Sequence, residues 1–297
     1  MEQSCYEAFL EYLKSERNYS PRTVESYGTD IKDFADFCET LNDSITWQTV
    51  DSDIIRAWIV HCLEEGGMKA SSVNRKLSAL RTMYHYLVMM GLAESNPARN
   101  ITGPKRGKPL PAFVKEGEID QLLDGTHFEN SFAGQRDRLV ILMFYNTGMR
   151  IAELLGLRDR DIDFSGKSIK VTGKRDKQRL IPFGKELEIE MAEYMTMRDS
   201  LFPDHDDSFF VGNKGRTISR SKVERIVKTY LAEVTSIEKK SPHVLRHTFA
   251  TAMLNHKAEL VAIQNLLGHA SLRTTEVYTH TSFEELKSIY KDAHPRE

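Results

Sequence analysis

The sequence predicts two domains: an all-α N-terminal domain, then an α+β domain that is mainly helical with a small antiparallel sheet. Three observations predict it. Apolar residues recur every three or four positions through the first hundred residues, the period of an amphipathic helix. The stretch "NPARNITGPKRGKPLPAF", residues 96–113, holds four prolines and two glycines without that period, so it reads as an exposed linker. Beyond it, "KSIKVTGKRDKQRLIPF" sets apolar runs on either side of a Gly-Lys-Arg-Asp-Lys turn, the pattern of a β-hairpin with a basic tip. The expected boundaries are 1–100 for the helical domain, 101–112 for the linker and 113–297 for the second domain.

Taken in order, helical periodicity begins near residue 5. In "NYSPRTVESYGTDIKDFADFC", Ser20 is the expected N-cap and Pro21 the first helical residue, with Val24, Tyr27, Ile31 and Phe34 on one face. "SSVNRKLSALRTMYHYLVMMG" repeats the pattern with Val73, Leu77, Leu80, Tyr84 and Leu87, and Gly91 is the expected left-handed cap. Arg75, Lys76 and Arg81 are placed off that stripe, facing either a DNA major groove or water. After the linker, "GEIDQLLDG" and "RDRLVILMFYNTGMRIAELLGL" read as helices, the second broken at Thr147-Gly148. The hairpin follows, then a short strand at "SFFVG", a helix over 219–234 and a helix-rich final quarter.

Composition narrows the class. An apolar fraction of 40% fits a folded chain, and no apolar run nears the roughly 18 residues a membrane span needs. The acidic start lacks the pattern of a signal peptide, so a cytoplasmic location is expected. Cys5, Cys38 and Cys62, an odd number in no ligand spacing, read as reduced structural thiols, and no metal site is expected. The net charge of −2 hides an asymmetry, about −5 over residues 1–100 and about +3 over 101–297. Basic clusters lie at 103–109, 173–179 and 213–228, and such local clusters steer DNA more than the total does. Lys105 and Arg106 fall in the first of them.

The chemistry-bearing positions are scattered along the second domain. Arg150 follows "YNTG", Lys174 sits on the hairpin tip, and "SPHVLRHTFAT" puts His243, Arg246 and His247 within about one helical turn. His269 follows Gly268, and Tyr278 lies in "TTEVYTH". Each alone has an ordinary explanation: a helix ion pair with Glu153, a turn lysine, a loop histidine, a half-buried tyrosine.

As a set, these stretches resemble the tyrosine recombinase (phage-integrase-type) family, most closely its Xer-type chromosome-dimer resolving branch. The resembling segments are "TGMRIAELLGLRDRDID", "VTGKRDKQRLIPF", "SPHVLRHTFAT", "LLGHASLRTTEVYTH" and the ending "HPR". The resemblance spans essentially the whole chain. It implies a core-binding, SAM-like N-terminal domain, a catalytic domain, and a tail over 283–297 that docks on a neighbouring protomer. It also implies that Arg150, Lys174, His243, Arg246 and His269 form a phosphate site, with Tyr278 as nucleophile and Glu153 orienting the site.

Elementary chemistry is consistent with those roles. Attack on a phosphodiester builds negative charge on the nonbridging oxygens, which planar guanidiniums grip in pairs. A tyrosine of ordinary pKa near 10 needs nearby cations to become a phenolate at neutral pH. A hairpin lysine suits protonation of the leaving 5′ oxygen. The product would be a 3′-phosphotyrosyl DNA open to attack by another strand's 5′-hydroxyl, with neither metal nor ATP as cofactor. The implied partners are double-stranded DNA with short inverted arms, a homo- or hetero-tetramer on two such sites, a sister recombinase and a septal DNA translocase, with no membrane.

Two departures from the family pattern stand out: Ala252 where histidine is common, and Lys257 where glycine commonly ends the helix. A lysine at positive φ costs about 1 kcal/mol, so the turn is expected to be reshaped with Asn255 as the left-handed residue. Arg175 also stands where glycine is frequent. Competing readings are a non-catalytic DNA-binding module, a type IB topoisomerase, and a metal pair of His243 and His247, which lacks a third ligand. Within recombinases, dimer resolution is preferred over a mobile-element integrase or an invertase, since periodicity starting near residue 5 leaves no space for an arm-binding domain.

Overall fold

The computed structural model describes residues 3–105, 107, 112–125, 127–173, 176–268 and 283–296. Residues 1–109 form one compact unit and residues 110–297 another.

The first unit is all helix: α1 (Gln3–Ser15), α2 (Pro21–Leu41), α3 (Ser52–Glu64) and α4 (Ala70–Met89). Ser20 caps α2 by accepting from the Thr23 N–H, with Pro21 at the first helical position, and Gly91 after α4 has φ +69°. The apolar stripe of α4, from Val73 through Leu77, Leu80 and Tyr84 to Leu87, is buried against α2 and α3. Phe34 and Trp58 meet edge to face at 4.9 Å, and Cys5, Cys38 and Cys62 are buried in the same core. The helix α3 was not anticipated from sequence.

Lys76 requires a correction. It is 3% exposed, and its ammonium pairs with Asp33 and, at 3.4 Å, with Asp30. The reason is periodicity: position 76 lies three after Val73 and four before Leu80, on the core stripe itself. Arg81 is committed as well, donating to the carbonyls of Ala98 (3.0 Å) and Ile101, so it pins the chain leaving α4. Arg75 binds Asp30 and Ser26 while remaining 45% exposed. Burial raises the Asp30 carboxyl above its ordinary pKa in spite of Arg75 and Lys76.

The second unit is built around α6 (Phe132–Thr147), which is buried on nearly all sides from Leu139 onward, as a central helix must be. Against it pack α8 (Lys185–Leu201), α9 (Arg220–Val234) and α10 (Pro242–Asn255), while α5 (Glu116–Asp124) packs on α9. A short α7 (Ile151–Leu155) follows α6 after the break at Gly148, whose φ is +57°. The antiparallel sheet runs in the order β1 (Ile162–Asp163), β2 (Ser168–Thr172), β3 (Gln178–Pro182), with Ile169 opposite Ile181 and Val171 opposite Arg179. The hairpin is as expected; β1 and α8 were not.

"SFFVG" is not a strand. Phe209, Phe210 and Val211 are buried, but only isolated bridges form, Arg158 with Ser208 and Val211 with Thr217. Its backbone is satisfied otherwise: the fully buried Arg198 donates to the Phe209 carbonyl at 3.0 Å, and Tyr194 Oη accepts from the Val211 N–H at 3.0 Å. The turn after α10 also differs from expectation. Lys257 itself takes φ +67°, and Asn255 stays helical.

α11 (Leu260–Leu267) and α12 (Phe283–Ala293) complete the unit. α12 packs against α10, α11 and β3 of its own unit, with Tyr290 and Ala293 buried. The ending "HPR" anchors it. His294 is 5% exposed, stacked on Tyr290, and its Nδ1 accepts from the Arg296 N–H, which assigns the proton to Nε2 for donation to the Tyr145 carbonyl. The Arg296 guanidinium reaches Asp120, Asp124 and Glu186. The tail therefore seats on its own unit. Among the described residues no helix is long and apolar enough to cross a membrane.

Candidate functional site

Three arginines from three elements converge on the end of α11. Gly148 breaks the chain after α6 and leaves Arg150 in extended backbone just before α7. Arg246 lies one turn into α10 and is 7% exposed. Arg179 sits on β3, on the same strand face as the fully buried Ile181.

A helix ends with carbonyls that no later N–H can reach, and its C-terminus carries partial negative charge. Here three successive carbonyls are taken by side chains: Leu266 by Arg179 Nε at 2.6 Å, Leu267 by Arg246 Nη2 at 2.6 Å, and Gly268 by Arg150 Nη2 at 3.4 Å. Arg246 also donates to the Gly148 carbonyl at 2.6 Å, tying α10 to the turn that presents Arg150. Gly268 itself has φ +64° and closes the helix.

Glu153 holds this set together. It is 4% exposed and accepts from the Arg150 N–H (2.7 Å), Arg150 Nη1 (2.9 Å), Arg179 Nη1 (2.8 Å) and Arg179 Nη2 (2.9 Å). Burial raises its pKa, but the Arg179 hydrogen bonds and then those of Arg150 outweigh burial and hold it below the ordinary carboxylate value. The helix ion pair expected from sequence is therefore present, together with a second, bidentate one. Among the described residues the cluster has three guanidiniums and one carboxylate, so two positive charges lack a carboxylate. Its strain shows on Arg246, lowered to about 10 by burial and then by the charges of Arg150 and Arg179. An anion placed there would relieve that repulsion.

His243 is exposed on the first turn of α10. Partial burial, then the charges of Lys239, Arg246, Arg220 and Arg150, hold its pKa below the ordinary histidine value, so it is neutral at pH 7. Beside it opens a cleft of about 440 Å³ lined by Arg220, Arg225, Lys228 and Lys240, and by Glu224, which pairs with Arg220 at 3.5 Å. These residues belong mostly to the basic cluster at 213–228 seen in the sequence. His247 points away, edge-on to Phe113 at 6.3 Å.

Arg150, Glu153, Arg246 and His243 are thus brought together, while Lys174, His269, Tyr278 and Arg106 lie outside the described residues. Two neighbours of that group adjoin the cluster. A Cβ added at Gly173 would sit 3.5 Å from Glu153 Oε1, and one at Gly268 would sit 3.1 Å from Arg179. Lys105 is exposed in the first unit. The residue that sequence reasoning missed is Arg179. It was visible only as one more cation in the cluster at 173–179, although an arginine at an inward position of a strand is itself a signal that it has a buried partner.

Comparison with known proteins agrees with this architecture. The Phage integrase family profile matches residues 112–285, and the profile "Phage integrase, N-terminal SAM-like domain" matches residues 6–91. Tyrosine recombinase XerC of Pelobacter propionicus is 38% identical over 97% of this chain and 94% of its own, and that of Yersinia pestis is 36% identical over 98% and 94%. The crystal structure of XerH site-specific recombinase bound to palindromic difH substrate superposes with a TM-score of 0.72 at 23% identity, covering 95% of this chain and 83% of that one, a likeness of fold. The chain belongs to the phage integrase family and is a tyrosine site-specific recombinase, an enzyme that acts on DNA. Within that family it is of the Xer type.

Proposed function

We propose that the chain cuts and rejoins double-stranded DNA at a core site with short inverted arms, as a homo- or hetero-tetramer on two sites, and that its role is chromosome dimer resolution. The observation that carries the cutting chemistry is the arginine cluster around the end of α11, short of negative charge among the described residues and attached through Gly268 to the segment bearing His269 and Tyr278.

Arg150 and Arg246 bind the nonbridging oxygens of the scissile phosphate, where charge grows in the transition state. The Tyr278 phenolate oxygen attacks phosphorus, and the bond to the 5′ oxygen breaks. One of His243 and His269 accepts the phenolic proton, for which His243 is suited because it is neutral at pH 7. Lys174 protonates the departing 5′ oxygen. The phosphotyrosyl bond retains the energy for the 5′-hydroxyl of another strand to reverse the attack. Arg75 and Lys105, both exposed, and the cations of the cleft beside His243 contact flanking phosphates. A sister recombinase and a septal translocase are the partners this role implies.

The test is covalent capture in the native host. Wild type and Tyr278→Phe are expressed, cells are denatured without crosslinker, and DNA left on the protein is sequenced. Enrichment with wild type alone at one locus near the replication terminus is expected. Enrichment at element ends or invertible segments would move the role to a mobile element or invertase, and equal background in both strains would overturn the covalent reading.

A further inference from the structure

Arg179 is committed on three sides. Its Nε donates to the Leu266 carbonyl, and its two terminal nitrogens grip both oxygens of Glu153 at 2.8 and 2.9 Å. Its side chain is 13% exposed, against 36% for Arg150. With Arg179 on both oxygens of Glu153 and the Arg150 N–H on Oε2 at 2.7 Å, the Arg150 guanidinium meets the carboxylate through Nη1 alone and keeps the rest of its fork outward, with Nη2 only 3.4 Å from the Gly268 carbonyl.

Without Arg179 the balance changes. Among the described residues, Glu153 would be a buried carboxylate with Arg150 as its one remaining hydrogen-bonded cation, and a bidentate pair with Arg150 is the strongest contact open to both. That pair would turn the Arg150 fork inward, away from a phosphate. The end of α11, two residues before His269, would lose its Leu266 contact as well.

We infer that Arg179 is a positioning residue of the phosphate site: by occupying Glu153 it keeps Arg150 free for the scissile phosphate, and it ties the lysine-bearing hairpin to α7 and to the end of α11. This rests on the function proposed above. Arg179 does not touch the reacting atoms.

The logic makes the Arg179 defect depend on the Glu153 charge, which a plain structural staple would not. Single-turnover cleavage is measured on a nicked duplex bearing the site recovered by the covalent capture, with wild type, Arg179→Gln, Glu153→Gln and the double variant. DNA affinity and thermal unfolding are followed alongside. Arg179→Gln is expected to cleave about 100-fold more slowly, the size of a misplaced group, with affinity within about twofold. The double variant is expected to cleave about tenfold faster than Arg179→Gln alone, because the competing carboxylate is gone. Cleavage by Arg179→Gln near the wild-type rate, or a double variant no faster than the single, would overturn the inference. Failure of the wild type to form a Tyr278 adduct would instead overturn the functional reading, and the inference with it.

Discussion

Replacing Glu153 with glutamine removes one charge from a buried site without changing its shape. The wild-type carboxylate accepts four hydrogen bonds between 2.7 and 2.9 Å while 4% exposed. Glutamine keeps one acceptor oxygen and turns an NH₂ donor toward guanidinium donors, so about half of those bonds are lost and three arginines face one another without a counter-charge among the described residues. Breaking a buried, hydrogen-bonded ion pair in this way costs roughly 3–4 kcal/mol. For a unit of this size that is a fall of about 6–16 °C in the unfolding midpoint. The assay is thermal unfolding of wild type and Glu153→Gln with and without added sulfate. Sulfate should recover more of the midpoint in the variant than it adds to the wild type, since an anion replaces the missing charge. A midpoint within about 2 °C of wild type, or an equal response to sulfate, would refute the view that the cluster is starved of negative charge.

Three further outcomes are expected. His294, lowered to about 4 by burial first, against an unfolded value near 6.5, binds its proton more readily in the unfolded chain; its contribution to stability is therefore full above pH 6.5 and declines by up to about 3 kcal/mol as pH falls toward 4. Denaturant titrations across that range should show the slope flattened in His294→Phe. Gly148→Ala should cost about 2–4 kcal/mol and slow cleavage, because a Cβ there would lie 2.4 Å from Phe249 Cδ1 on a residue with φ +57°; calorimetry and single-turnover cleavage check it. Lys76→Met should cost roughly 1–3 kcal/mol of stability, since Asp30 keeps Arg75, while the DNA affinity of folded protein is unchanged. A gel-shift loss of affinity with stability intact would return Lys76 to the DNA face.

What could be read from the sequence was what local pattern dictates. The stripe on α4, the Ser20-Pro21 start of α2, the break at Gly148 and the hairpin all follow from periodicity and turn chemistry, and the structure has each of them. The proximity of Arg150, Glu153, Arg246 and His243 was legible only as a pattern of residues shared with a family, since they come from α7 with the residue before it and from α10, far apart in the chain. Lys76 was misplaced because residue type was weighed above position: a lysine three after Val73 and four before Leu80 belongs to the core whatever its charge. Phe209 and Phe210 read as strand because their apolar character is real, but side chains of Arg198 and Tyr194 take the backbone groups a ladder would need. Lys257 accepts the left-handed turn that glycine would normally fill, a choice set by the α10–α11 connection rather than by its own preference. Arg179 was hidden because its importance lies in Glu153, 26 residues earlier in sequence.

The central claim is that Tyr278 carries the DNA between cleavage and rejoining. The most direct measurement is to trap the protein on the nicked duplex, digest both components, and identify by mass spectrometry the peptide that retains a 3′-phosphoryl nucleotide. The expected product is a single adduct on the peptide containing Tyr278, absent in Tyr278→Phe. An adduct on any other residue, or one that persists in Tyr278→Phe, would contradict the mechanism.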